Sequence, residues 1–229
     1  MATISTRLQE VHARIAAACV TAQRPVQSVT LLAVSKTQPA AAVREAFAAG
    51  ERCFGENYVQ EGIAKIAALA DLRGQIEWHL IGPLQSNKTR IVAEQFDWVH
   101  SADRLKIAQR LSEQRPSHLP PLQVCLQVNI SAEGSKSGLL PGEVAAVAQA
   151  VAALPRLRLR GLMAIPEPGM TIEQQRIPHA SLRQLMRALQ RNGLVLDTLS
   201  RGMTADLEAA VLEGSTLVRV GTAIFGARA

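Results

Sequence analysis

Lysine, cysteine and aromatic residues are scarce in this 229-residue sequence: five lysines, three cysteines and 3% aromatics. Cys19, Cys53 and Cys125 form no C-x-x-C pair and no even framework, which argues against a disulfide scaffold or a structural zinc site. Cys53 and Cys125 lie in apolar, strand-like runs and read as small core residues, in keeping with a reducing compartment. No apolar run reaches the roughly 18 residues of a membrane span. The first twenty residues do not read as a signal peptide, because Arg7, Glu10, His12 and Arg14 interrupt any apolar core. The five histidines show no H-E-x-x-H or similar spacing, so metal catalysis is not expected. Ser35 has no nucleophile-elbow context. No Ser/Gly-rich linker divides the chain, which reads as one cytoplasmic domain over residues 1–229.

The charge is +6 and the pI about 9.8, which raises nucleic-acid binding. Arg156, Arg158 and Arg160 alternate along one strand face, but such a face is more often solvated or paired. The few aromatics leave little for base stacking. Neither a nucleic-acid nor a membrane partner is expected.

Short apolar runs alternate with longer amphipathic ones. Strands are predicted at 29–34, 52–54, 76–81, 97–100, 122–129, 157–164, 196–199 and 217–220. Helices fall between them, at 39–49, 59–70, 88–95, 103–115 (Asp103 as cap), 143–153, 180–190 after Pro178, and 205–213 ended by Gly214. A short helical tail follows from Thr222. Ile4, Leu8, Val11 and Ile15 mark one face of an extra N-terminal helix. Eight βα units predict an α/β fold, a single (β/α)8 TIM barrel, with an open doubly wound sheet as the alternative. The absence of G-x-G-x-x-G after the first strand favours the barrel.

In a barrel, chemistry gathers at the carboxyl ends of the strands. Lys36 stands there after the first strand. A partly buried amine loses part of its preference for the charged form and can act as a Schiff-base nucleophile; from position alone, a snorkelling surface lysine fits as well. Ser200, Gly202, Thr204, Gly221 and Thr222 form small-residue turns after the last two strands, where barrels often bind phosphate, although turn glycines are common anyway. Arg219 lies inside an apolar run and needs an acceptor or an anion, either a structural partner or a ligand atom. Asn57 and His79 read as second-tier pocket residues, and His79 equally as a satisfied core histidine. Lys136 sits at the same end as Lys36, where it could hold cofactor transiently or be a solvated loop charge. Lys65, Lys88 and Lys106 read as helix-surface residues.

The segments LLAVSKTQP, FGENYVQE, EWHLIGPLQSNK, VNISAEGSKSG, RGLMAIP and LSRGMTADLEAAVLEGSTLVRVGTAIFGAR together resemble the pyridoxal phosphate homeostasis proteins, over almost the whole chain. The resemblance implies a barrel like the N-terminal domain of alanine racemase. It implies pyridoxal 5′-phosphate as cofactor, held as an aldimine on Lys36. Ser200, Gly221 and Thr222 would belong to the phosphate cradle, with Thr204 keeping a hydroxyl nearby. Arg219 would face the pyridine nitrogen, and Asn57, His79 and Met163 would line the pocket. The family commonly carries an apolar residue where Arg201 stands, so this arginine either tightens phosphate binding or points to solvent.

An arginine cannot supply a proton to the pyridine nitrogen, so it leaves the cofactor a weak electron sink. Racemisation usually also needs a second acid–base group, and the only tyrosine, Tyr58, begins a helix. The implied function is non-catalytic: a monomer that holds pyridoxal phosphate reversibly and serves vitamin B6 homeostasis, with PLP-dependent apo-enzymes as acceptors. The alternative is a weak PLP-dependent amino-acid racemase.

Overall fold

The computed structural model describes residues 2–131, 137–167 and 171–226, so Lys136 lies outside the described residues. Its strands are β1 (Thr30–Val34), β2 (Cys53–Glu56), β3 (Glu77–Leu80), β4 (Trp98–Ala102), β5 (Leu122–Gln127), β6 (Leu157–Met163), β7 (Thr198–Ser200) and β8 (Leu217–Val220). Nine α-helices are described: α1 (Ile4–Thr21), α2 (Ala40–Ala48), α3 (Val59–Ala68), α4 (Thr89–Gln95), α5 (Leu105–Gln114), α6 (Val144–Ala152), α7 (Ile172–Arg191), α8 (Leu207–Leu212) and α9 (Thr222–Phe225). The strands pair in chain order, all parallel, and close into a barrel. Closure comes from β1 and β8, registered from Thr30 opposite Leu217 to Ala33 opposite Val220, which excludes the open sheet.

Strand alternation sorts the side chains into two layers. Outward residues such as Leu31, Ala33, Phe54, Trp78 and Leu80 join helix residues such as Val43, Ile66 and Val92 in the main hydrophobic core. Leu8, Val11 and Ile15 of α1 belong to that core too, and Arg14 of α1 pairs with Glu208 of α8 at 2.9 Å. The inner layer is different. Leu32, Val34, Ile81 and Leu217 form one small apolar cluster, and Trp98, Cys125 and Met163 another. Around them sit the buried polar residues His79, His100, Ser200 and Arg219. Most barrels fill this space with branched aliphatics.

Three local expectations need correction. Helix α7 runs through Pro178 rather than starting after it. Thr171 and Gln174 form a complete capping box, which nucleates the first turn ahead of the proline. Asp103 does not cap α5: Arg104 is the N-cap, and the Asp103 carboxylate accepts from the Arg104 guanidinium at 2.8 Å. Cys53 is half-exposed at a strand start rather than a core residue, whereas Cys125 is fully buried.

The β6–β7 contact depends on Gly161, where a Cβ would collide with the Thr198 carbonyl; Gly142 has open space around it. Gly161→Ala is expected to cost about 1–3 kcal/mol through overpacking. Gly142→Ala should stay within about 0.5 kcal/mol. Urea unfolding midpoints of the two variants test the difference.

Candidate functional site

A cavity of about 320 Å³ opens at the carboxyl ends of the strands. Lys36, Asn57, Thr204, Arg219, Gly221 and Thr222 all line it, and Ile81, Ile165, Met203 and Phe225 contribute apolar wall. Among the described lining residues, Lys36 and Arg219 are the only ionisable side chains. Tyr58 is outside the lining and 61% exposed. The Asn57 amide oxygen is buried without a hydrogen-bond partner. Its position relies on Gly82, since a Cβ there would strike the Asn57 carbonyl.

The turn that carries Lys36 is fixed from both sides. Lys65, expected on a helix surface, is buried instead. Its ammonium donates to the Ser35 carbonyl at 2.5 Å, to Glu56 Oε1 at 2.7 Å and to Glu61 Oε1 at 2.6 Å. Glu56 Oε1 also accepts from the Ser35 hydroxyl at 2.6 Å, and Glu61 Oε1 from the Thr37 backbone N–H at 2.5 Å. Burial pushes the Glu56 carboxyl up, against the pull of Lys65 and Ser35. Thr37 sits at φ +62°, a conformation costly for a β-branched residue, and the Glu61 contact holds it there. Both neighbours of Lys36 are therefore anchored, while Lys36 itself projects half-buried into the cavity.

Arg219 is anchored differently. Its guanidinium donates to the Ser200 carbonyl at 2.5 Å, the Ser200 hydroxyl at 2.8 Å and the Ala164 carbonyl at 2.9 Å. Burial lowers its pKa to about 10, which leaves it a cation, and only a donor, at neutral pH. Ser200, expected in a phosphate cradle, is fully buried beneath the lining. Its Oγ bridges Arg219 and His100 Nδ1, the latter at 2.7 Å. His100 Nε2 lies 2.9 Å from His79 Nδ1. His79, expected in the same pocket, opens instead into a cavity at the opposite, amino-terminal mouth. Met163 is sealed inside the barrel against Trp98 and Cys125. A column of polar contacts thus runs down the barrel from Arg219 to His79.

The sequence profile of the alanine racemase N-terminal domain matches residues 8–229. The pyridoxal phosphate homeostasis protein of Pseudomonas aeruginosa is 62% identical over 228 residues, covering 100% of this chain and 97% of that one. The chain belongs to the pyridoxal phosphate homeostasis protein family. The family member of Escherichia coli K12 is 54% identical over 226 residues, covering 98% of this chain and 97% of its own. Among solved structures, PipY of Synechococcus elongatus with PLP bound superposes with a TM-score of 0.84 at 41% identity, covering 98% of this chain and all of that one.

Arg201, expected either to tighten phosphate binding or to point to solvent, does neither. It is fully buried, and its guanidinium donates to the carbonyls of His179 and Glu213. Burial lowers its pKa to about 9. Glu213 also pairs with Arg176 and Arg183, so Arg201 joins a cluster behind β7. The loop from Met203 to Asp206 is held separately. Asp206 accepts from the Met203 N–H at 2.7 Å and lies 3.0 Å from His179 Nε2.

Two measurements test this arrangement. Lys65→Met leaves Glu56 buried without its cation and is expected to cost about 3–5 kcal/mol in chemical denaturation. The exposed Lys106→Met should change stability by less than about 0.5 kcal/mol. His100 is held well below the usual imidazole range by burial, then by His79 and Arg219. As pH falls below about 6.5 the unfolded chain takes up this proton first. Stability therefore falls on acidification, by up to about 1.4 kcal/mol per pH unit from this ring. His100→Asn should flatten the dependence of unfolding free energy on pH between 7 and 5.

Proposed function

We propose that this chain binds pyridoxal 5′-phosphate in the cavity at the carboxyl mouth, holds it as a Schiff base on Lys36, and serves as a reversible, non-catalytic store in vitamin B6 homeostasis and supply. The single observation that carries the reading is the pair of ionisable groups in the cavity, one lysine and one arginine that is a cation at neutral pH, on separate supports. The donor set suits the cofactor. Lys36 offers an amine for an aldehyde carbon, the imine forming with loss of water and reverting by hydrolysis. Thr204 and Thr222 offer hydroxyls and Gly221 a close backbone approach toward a phosphate. Asn57 brings an unpaired amide oxygen to the same cavity.

When bound, the cofactor supplies an electron sink whose strength depends on protonation of its ring nitrogen. In this reading Arg219 would face that nitrogen, where it can donate a hydrogen bond but cannot share an acidic proton. Ser200 and His100 act behind Arg219 and fix its direction. This set favours holding over turnover. PLP-dependent apo-enzymes are the acceptors such a store would supply. The match to the alanine racemase N-terminal domain keeps weak amino-acid racemisation as the second reading.

Borohydride reduction of protein incubated with pyridoxal phosphate, followed by peptide mass spectrometry, should place the adduct on Lys36. Lys36→Ala should lose both the adduct and the visible absorption. Incubation of the loaded protein with L- or D-alanine in deuterated water separates the two readings. A store leaves Cα essentially unlabelled, whereas a racemase exchanges at roughly 1–1000 per second.

A further inference from the structure

The amino-terminal mouth of the barrel, opposite the cavity above, holds a second group of chemically potent side chains. Cys53 starts β2 and Glu77 starts β3, and the two are directly paired across the parallel ladder. His79 follows Glu77 by two residues and points to the same inner face. Cys53 Sγ lies 3.6 Å from Glu77 Oε2, and Glu77 Oε2 lies 3.4 Å from His79 Nε2. The sulfur, oxygen and nitrogen all lie within 4.8 Å of one another. His79 is 1% exposed, and its Nε2 is buried with no hydrogen-bond partner.

We propose that Cys53, Glu77 and His79 form a zinc site at this mouth, separate from the cofactor cavity. The spacing fits the metal. Zinc bonds of about 2.3 Å to sulfur and about 2.0 Å to nitrogen and oxygen, in tetrahedral geometry, separate sulfur from oxygen by about 3.5 Å and oxygen from nitrogen by about 3.3 Å. The observed sulfur–oxygen and oxygen–nitrogen separations are 3.6 and 3.4 Å, and sulfur and nitrogen lie within 4.8 Å, so closing on an ion would draw these last two together. Without a metal, Glu77 Oε2 serves the Cys53 thiol at 3.6 Å, and His79 Nε2 has only a long 3.4 Å ion-pair contact to the same oxygen. One cation satisfies all three.

The surroundings suit a bound metal. The Trp98 indole donates to Glu77 Oε1 at 2.7 Å, which leaves Oε2 for the ion, and its ring stacks on His79 at 5.2 Å. His79 Nδ1 is engaged by His100, the kind of partner that fixes the orientation of a ligating imidazole. Arg160, which lines both openings at this mouth, is already paired with Asp197 at 2.7 Å and stacked over Trp98. Glu77 and His79 also line a cavity of about 410 Å³, from which water would supply the remaining ligand. Glu77 also lines the neighbouring opening that Cys53 faces; that opening is rich in arginine (Arg52, Arg73, Arg115, Arg158 and Arg160), so the 410 Å³ cavity is the better path for a cation. Binding replaces the S–H bond of Cys53 by a sulfur–zinc bond and releases that proton to water. A thiolate and a carboxylate then balance the charge of a divalent ion. The mixture of sulfur, nitrogen and oxygen donors selects zinc over calcium or magnesium.

The test is titration of chelator-treated full-length protein with Co²⁺ and, separately, with Zn²⁺. One equivalent of Co²⁺ should produce a near-ultraviolet thiolate-to-metal band and visible bands of tetrahedral intensity. One equivalent of Zn²⁺ should bind by calorimetry and raise the melting temperature. Cys53→Ser, a change at a half-exposed position, should abolish the thiolate band and weaken zinc at least about 100-fold while the apo-protein remains folded. Glu77→Gln should also weaken binding, and Cys19→Ser should retain both the band and the affinity. Failure of the wild-type protein to take up either ion at one equivalent, or an unchanged zinc affinity in Cys53→Ser, overturns the site. Lys36→Ala should bind zinc as the wild type does, so the outcome does not depend on the cofactor reading.

Discussion

A lysine ammonium deep in a protein is tolerable only where each of its three hydrogens meets an oxygen. Lys65 meets that condition with the Ser35 carbonyl and the carboxylates of Glu56 and Glu61. The same atoms that compensate its charge fix the backbone on either side of Lys36. The turn after β1 therefore has one conformation, strained at Thr37, with a single long side chain free to project. Across the cavity, Arg219 obeys the same rule with carbonyl and hydroxyl acceptors. The mouth is a place where two cations are held at fixed positions by unrelated supports.

The architecture was largely legible in the sequence. Apolar runs marked all eight strands, and the last matches its predicted span of 217–220. Helix boundaries were less legible, because a proline inside a pattern normally signals an end, whereas the capping box at Thr171 lets α7 begin before Pro178. Of the expected site residues, Lys36, Asn57, Thr204, Arg219, Gly221 and Thr222 meet at one cavity. Most of them lie at a strand end or in the turn beyond it, the positional cue that singled them out, whereas Arg219 stood out as a charge inside an apolar run. Ser200, His79 and Met163 share that cue but point into the barrel, a distinction decided by strand phase around the ring.

The misread residues have a common cause. Lys65 shares helix α3 with ordinary surface positions, and its buried partner Glu56 stands on a strand nine residues earlier. Arg201 donates its two terminal nitrogens to carbonyls of α7 and of the end of α8, while its Nε is buried without a partner. Such pairings join separate elements and leave no periodic trace. One signal was available: Glu77 and His79, like Trp98 and His100, are two apart on short strands and so share the inner face. Reading that phase would have exposed the polar interior, including His100.

That interior bears on how the ring is completed. β1 and β8 are far apart in sequence, so their pairing is the most non-local step of assembly. Until they meet, the inner imidazoles, carboxylate and guanidinium can stay hydrated, beside two small apolar clusters on the same side. Shutting the ring strips the water from all of them together, and the contacts from Arg219 through Ser200 and His100 to His79 offset that loss. The final seam thus acts as an all-or-none checkpoint, and a chain that stalls there is exposed mainly at its two bare strand edges.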